Sequence, residues 1–251
     1  MFFQIEITTA CNFRCFYCIG RSWRPRHMTP ERFDAILRAL PPGRHTVSLQ
    51  GEGEPLVHPR FWAMAEAVRA AGHVPYTITN ASRIDAGRAA ALFPVIGVSL
   101  DTLDAGEAER IGRLRLDRVL ANFASLVEAM GPERIVVHTV AFGQDLRPLR
   151  VHLGRLGVDR HLVQPLQSKR DYRRRYPGRA HAAPRPAVVA PCRYLATPVM
   201  RYFTIDGAAL PCCFIKDASS YRSDVELRTA LAAGVVPAAC VGCREIGGRA
   251  S

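Results

Sequence analysis

The chain has 251 residues, 48% of them hydrophobic and 22% charged, with a formal net charge of +12. That length and apolar content can bury a substantial core and exclude a disordered or collagen-like chain. No apolar run is long enough to span a bilayer, and the opening Met1-Phe2-Phe3-Gln4-Ile5-Glu6 lacks the basic start and long apolar stretch of a signal peptide, so a cytoplasmic protein with no membrane partner is expected.

Residues 3–8 predict a strand that runs into Cys11-Asn12-Phe13-Arg14-Cys15-Phe16-Tyr17-Cys18. Thr29 and Pro30 then open a helix in which Phe33, Ile36, Leu37 and Leu40 repeat at helical spacing. Residues 45–50 predict a second strand, and Phe61, Met64, Ala65 and Val68 mark a helix stopped at Gly72. Strands over 74–79 and 95–100 flank an alanine-rich helix over 85–92. Leu116, Val119, Leu120, Phe123, Leu126, Val127 and Met130 make a long amphipathic helix closed by Gly131. A strand over 134–140, a helix over 146–156 and a strand over 161–165 follow. Six such units with right-handed crossovers predict an α/β fold, a parallel sheet curled into a partial barrel. Ligands of such folds bind at the carboxyl ends of the strands, where the cysteine loop lies.

Three segments are expected: the barrel over 1–167, a basic Pro/Ala-rich linker or lid over 168–191, and a cysteine-rich unit over 192–251. The middle segment carries Arg173, Arg174 and Arg175, which suit either a solvated linker or a grip on phosphate or carboxylate. Nearly all 34 basic residues are arginine, and only Lys169 and Lys216 are lysines. A general surface bias competes with an anionic ligand as the reason for the charge, and no aromatic-interleaved basic motif points to nucleic acid. The last segment predicts a hairpin around Asp206-Gly207, a helix over 225–232 and a Cys240-Val241-Gly242-Cys243 knuckle.

Eight cysteines in a reducing compartment read as metal ligands rather than disulfides. The C-x3-C-x2-C loop offers three thiolates, enough for three irons of a 4Fe–4S cube, and leaves the fourth iron open to a chelating molecule. Zinc competes at both ends: Cys11, Cys15 and Cys18 with His27, and four of Cys192, Cys212, Cys213, Cys240 and Cys243.

This loop, with Tyr17 before its last cysteine, resembles that of the radical S-adenosylmethionine (SAM) enzymes. The resemblance implies a (β/α)6 partial TIM barrel over roughly residues 2–167. It also implies a 4Fe–4S cluster on Cys11, Cys15 and Cys18 whose open iron binds SAM, cleavage of SAM by one electron, and a 5′-deoxyadenosyl radical that removes hydrogen from substrate. Gly51-Glu52-Gly53-Glu54-Pro55 resembles the family's Gly-Gly-Glu motif, which carries the reception of the SAM amine to Gly53 and Glu54 and more weakly to Glu52. Thr79-Asn80 resembles the family's Thr-Asn-Gly with Ala81 in the glycine position, and Ser99-Leu100-Asp101 its Ser-Leu-Asp. Tyr17, Asn80, Ser99, Asp101 and Gln164 are therefore candidate cofactor contacts, with ordinary turn and cap chemistry the competing reading for Asn80 and Asp101. His138 reads as a satisfied core residue.

The C-terminal segment resembles the SPASM/Twitch extension of the same family, including its Asp-Gly-x-x-x-Pro-Cys-Cys hairpin. The sequence stops eight residues after Cys243, which favours the one-cluster Twitch form. Cys192, Cys212, Cys240 and Cys243 are the implied ligands of a second, auxiliary 4Fe–4S cluster, and Cys213 is the spare thiol, a candidate hydrogen-atom donor. The start so close to strand one favours a small polar substrate, as for 2-deoxy-scyllo-inosamine dehydrogenase-like Twitch enzymes, and an anionic one if the arginines grip it. A flavodoxin- or ferredoxin-type protein is the implied electron donor. The alternatives are an epimerase using Cys213, a maturase that crosslinks or epimerises a ribosomal peptide, and a zinc-binding nucleic-acid adaptor.

Overall fold

Alternation along the first strand sets the two faces of the molecule. In β1 (Phe2–Ile5), Phe3 and Ile5 enter the core under the helices, while Phe2 and Gln4 line a central cavity. The computed structural model describes residues 1–169, 172, 192–197 and 199–246. β1 pairs in parallel with β2 (Thr46–Leu49), and β2 with β3 (Val74–Tyr76). A second parallel set runs β4 (Ile78–Thr79), β5 (Ile96–Ser99), β6 (Ile135–Ala141) and β7 (His161–Pro165). The strand expected over 74–79 is thus two pieces. The chain changes sheets at Thr77, whose carbonyl accepts from the Gly97 N–H and whose hydroxyl donates to the Leu49 carbonyl.

Helices α1 (Pro30–Arg38), α2 (Phe61–Ala70), α3 (Ala86–Leu92), α5 (Leu116–Met130) and α6 (Arg147–Arg155) fall where the sequence predicts them, α1, α2 and α5 by apolar spacing. Thr29 caps α1 and Asp85 caps α3 through side-chain oxygens. Phe33, Phe61, Phe93 and Phe123 are buried between helices and sheet, each contributing about 2–3 kcal/mol of burial. An additional helix, α4 (Ala105–Ile111), is missing from the sequence reading. It is seven residues long, with Ala108 and Ile111 buried, and the Asp104 cap and Gly112 define its ends.

The C-terminal residues are built onto the barrel sheet. β8 (Met200–Phe203) pairs in parallel with β1 along its whole length, and β9 (Ala209–Leu210) returns antiparallel beside β8. Glu6 fastens this junction, accepting from the Glu52 and Ile205 N–H groups. A short helix (Arg193–Ala196), a longer one (Asp224–Ala232) and the cysteine segments pack as a second core beside it. Among the described residues no helix is long and apolar enough to cross a membrane.

Candidate active site and cysteine clusters

The three-cysteine loop is clamped from below by the end of α4. The Arg14 N–H donates to the Gly112 carbonyl and the Phe16 N–H to that of Ile111. Gly112 is required twice over: its φ is +96°, and a Cβ there would meet the Arg14 carbonyl. Cys11 is exposed, Cys15 buried and Cys18 half-buried. Burial pushes the Cys15 and Cys18 thiols above the usual cysteine range, and at Cys18 the neighbouring Glu52, Cys15 and Cys11 push the same way.

Arg113, which the sequence reading does not single out, organises the next layer. Its guanidinium lies 3.0 Å from Asp101, donates to the Tyr17 hydroxyl at 2.9 Å and to the Ser99 carbonyl at 2.7 Å. Asp101 also accepts from Tyr17 and from the Val140 N–H. Burial alone would lower the arginine pKa, but Asp101 and Tyr17 outweigh it and hold the group well above its ordinary value. Tyr17, Ser99 and Asp101 are therefore brought together, but around a buried arginine, with the Asp101 side chain fully enclosed.

The glycine turn after β2 packs against the chain just before the cysteine loop. A Cβ on Gly53 would lie 2.5 Å from the Thr8 carbonyl oxygen and 2.6 Å from that of Ala10, so only glycine fits. Glu54 is buried, accepting from the Thr79 hydroxyl at 2.5 Å, the Asn80 N–H at 2.7 Å and the Leu56 N–H at 3.2 Å. Burial raises its pKa, and these three bonds oppose the rise. Asn80 donates to Asn12 of the cysteine loop at 3.1 Å and accepts from Ser82. Ala81, in the position of the family's glycine, has a φ of +58° and is fully buried.

Glu52, given the weaker role from sequence, is the carboxylate that faces the cavity. This cavity of about 950 Å³ is lined by Gln4, Gln50, Glu52 and Gln164 from the barrel and by Cys213 and Lys216 from the C-terminal segment. Lys216 lies 2.6 Å from Glu52 and 4.7 Å over the Tyr202 ring, and the Tyr172 hydroxyl donates to Glu52 at 3.0 Å. Burial works against the Lys216 charge, yet Glu52 holds its pKa well above the usual lysine range. Glu52 also stands 3.8 Å from the Cys18 sulfur, so it links the first cysteine loop to the far wall of the cavity. Burial raises the Cys213 thiol to about 11, which keeps its hydrogen at neutral pH. His138 meets the Tyr76 hydroxyl at 3.3 Å, and burial lowers its pKa to about 4.

The remaining cysteines form a second set. Cys192, Cys212 and Cys240 are buried in the C-terminal core and Cys243 packs against it. Burial pushes Cys240 up to about 12 and Cys243 to about 11; the thiols of Cys192 and Cys212 add to the rise, and Lys169 opposes it. Cys212 and Cys213 part company, the first into this core and the second onto the cavity wall. A cube takes one thiolate per iron, so the all-thiol chemistry of both groups fits 4Fe–4S centres. His27, the candidate zinc ligand, has its Nδ1 engaged by Thr8 at 2.9 Å. Residues 173–175, the basic run, lie outside the described residues.

The family model described as the radical SAM superfamily matches residues 5–155, more than half of the sequence. The chain belongs to the radical SAM superfamily. Membership implies a 4Fe–4S cluster and SAM as cofactors. Among solved structures, SuiB of Streptococcus suis bound to S-adenosylmethionine matches with a TM-score of 0.67 at 16% identity, over 92% of this chain and 64% of that one. The same protein bound to its precursor peptide SuiA matches with a TM-score of 0.67 at 17% identity and the same coverage. HydG, described as a maturase of the [FeFe]-hydrogenase, matches with a TM-score of 0.50 at 13% identity, over 66% of this chain and 43% of that one. At these identities the likeness is one of fold, and the chain spans 64% of the length of SuiB.

Proposed function

We propose that this radical SAM enzyme oxidises a small polar substrate in the cavity between its two cysteine sets. One observation carries the reading. A single cavity reaches from Glu52, beside Cys18, to Cys213 and Lys216, beside the C-terminal thiols. When bound, a 4Fe–4S centre on Cys11, Cys15 and Cys18 and its SAM supply a 5′-deoxyadenosyl radical able to take a hydrogen atom. Cys192, Cys212, Cys240 and Cys243 are the proposed ligands of an auxiliary centre of the Twitch type.

The protein's own residues divide the remaining work. Gly53 lets the turn pack against residues 8–10, and Glu54, committed to Thr79, Asn80 and Leu56, fixes its shape. Glu52, paired with Lys216 and Tyr172, is the carboxylate nearer the cavity, and we assign it the place facing the SAM ammonium. Tyr17, Asn80 and Asp101 hold the cysteine loop, Tyr17 also lines the cavity, and Gln4, Gln50 and Gln164 offer amides to substrate hydroxyl or amino groups. Oxidation of a carbinol would balance as one hydrogen atom lost from carbon to the deoxyadenosyl radical, one proton lost from its oxygen, and one electron, for which a centre held by Cys192, Cys212, Cys240 and Cys243 would be the acceptor. A flavodoxin- or ferredoxin-type protein would supply the electron to a centre held by Cys11, Cys15 and Cys18.

A second reading, epimerisation, is favoured by one detail: Cys213 keeps its hydrogen and lines the cavity. The test is a screen of polyols and aminocyclitols with anaerobically reconstituted enzyme in heavy water. An oxidised product without deuterium on the reacting carbon supports dehydrogenation. Deuterium that disappears in Cys213→Ala supports epimerisation and overturns the first reading.

A further inference from the structure

Lysine is rare here, with two residues among 34 basic ones; Lys169 is buried and the Lys216 side chain is 6% exposed. Lys216 belongs to the cavity already described. Lys169, 2% exposed, stands on the C-terminal cysteine set. The segment leaving β7 is stitched to both cysteine-bearing elements. Ser168 donates to the Gly242 carbonyl inside the Cys240–Cys243 knuckle at 2.8 Å, Lys169 donates to the Phe214 carbonyl just past Cys212 and Cys213, and Arg244 donates back to the Leu166 carbonyl. The Lys169 ammonium is thereby held on the carbonyl two residues past Cys212, while the residue before it bonds into the Cys240–Cys243 knuckle. The nearby Arg193 is paired with Glu245 at 2.7 Å on the surface.

We propose that Lys169 is a positioning residue for electron acceptance, a buried cation that compensates the thiolates of the C-terminal centre and favours its reduced state. The inference rests on the auxiliary-centre reading above. Four thiolates around a cube make a net anion, and each arriving electron adds one negative charge. Net charge and hydrogen bonding to the sulfurs set the potential of such a centre. An ammonium enclosed with it is shielded from salt and acts at full strength, where a surface arginine would be screened. The electron accepted is the one left by the substrate radical after its carbon has given up a hydrogen atom, so the residue biases the electron toward the C-terminal centre.

The experiment compares full-length wild type, Lys169→Met and Lys169→Arg after anaerobic reconstitution. Iron content and an EPR-monitored redox titration are the readouts. The expected result is about eight irons per chain in all three, two cubes. The C-terminal midpoint potential should shift negative in Lys169→Met, stay near wild type in Lys169→Arg, and leave the N-terminal centre unmoved. Selective loss of the C-terminal iron in Lys169→Met, with retention in Lys169→Arg, also supports a requirement for charge. An unmoved potential in Lys169→Met at full iron content overturns the proposal alone, as does equal loss of iron in both variants. A wild-type chain with only about four irons overturns the auxiliary-centre reading, and the proposal with it.

Discussion

Replacing Arg113 by methionine keeps most of its stem and removes its charge. The Asp101 carboxylate, whose side chain is fully enclosed, then retains only the Val140 N–H and the Tyr17 hydroxyl as partners. Removing one member of a buried ion pair costs about 3–5 kcal/mol, because the other charge stays buried without compensation. The two surviving hydrogen bonds are present before and after the change and do not alter it, and the Ser99 carbonyl loses its donor at 2.7 Å as part of the same loss. The expectation is a loss of about 3–5 kcal/mol. The assay is urea unfolding of the metal-free, reduced chain, followed by circular dichroism. Adding Asp101→Asn to Arg113→Met should recover about 1–3 kcal/mol, because the orphaned charge is gone. A loss below about 1 kcal/mol for the single variant, or strict additivity in the pair, would refute this account of the layer beneath the cysteine loop.

Glu54→Gln should destabilise the chain without any SAM present, by about 1–3 kcal/mol, because an amide nitrogen must face one of three hydrogen-bond donors. An unchanged unfolding free energy would return Glu54 to a ligand-binding role. Ala81→Gly should stay within about 1 kcal/mol of the parent: relief of the left-handed backbone, about 1–2 kcal/mol, is balanced by lost burial and greater chain entropy. Ala81→Leu at the same buried position should cost about 2 kcal/mol or more, and a stable leucine variant would contradict the strained, closed site. His138, with its pKa lowered to about 4, stays neutral in the folded protein while the unfolded chain protonates near 6.5. Stability present above pH 6.5 should therefore decline as the pH falls toward 4, by about 3 kcal/mol at most, and His138→Gln should flatten that part of the profile. An equal slope in both proteins would show that other groups carry it.

Much of the barrel is legible because α1, α2 and α5 each bury apolar residues at helical spacing, and because α3 and α6 lie between strands the sequence marks. α4, which buries Ala108 and Ile111, is short and rests on its caps. The parallel pairing of β8 with β1 is not readable, since no local pattern records which edge a distant strand will join. Close cysteine spacing marks the loop over Cys11, Cys15 and Cys18 and the Cys240–Cys243 knuckle, while the gathering of Cys192 and Cys212 into the same core as Cys240 comes only with the fold. Distant polar contacts are not marked in the linear order. The resemblance points to Glu54, while the burial that commits Glu54 inward and leaves Glu52 on the cavity appears only when β4 closes over the turn. Arg113, Tyr172 and Lys216 act through partners 12 to 164 residues away, as in Arg113 with Asp101 and Lys216 with Glu52. The one sequence signal for the two lysines is their scarcity in an arginine-rich chain.

The central claim is that Cys11, Cys15 and Cys18 hold the centre that cleaves SAM. It is tested most directly by replacing all three with alanine, reconstituting both proteins anaerobically, and measuring 5′-deoxyadenosine under a strong reductant alongside iron content. The account predicts 5′-deoxyadenosine from the wild type and none from the triple variant, which should keep the iron bound by its C-terminal cysteines. Undiminished 5′-deoxyadenosine from the triple variant would contradict it.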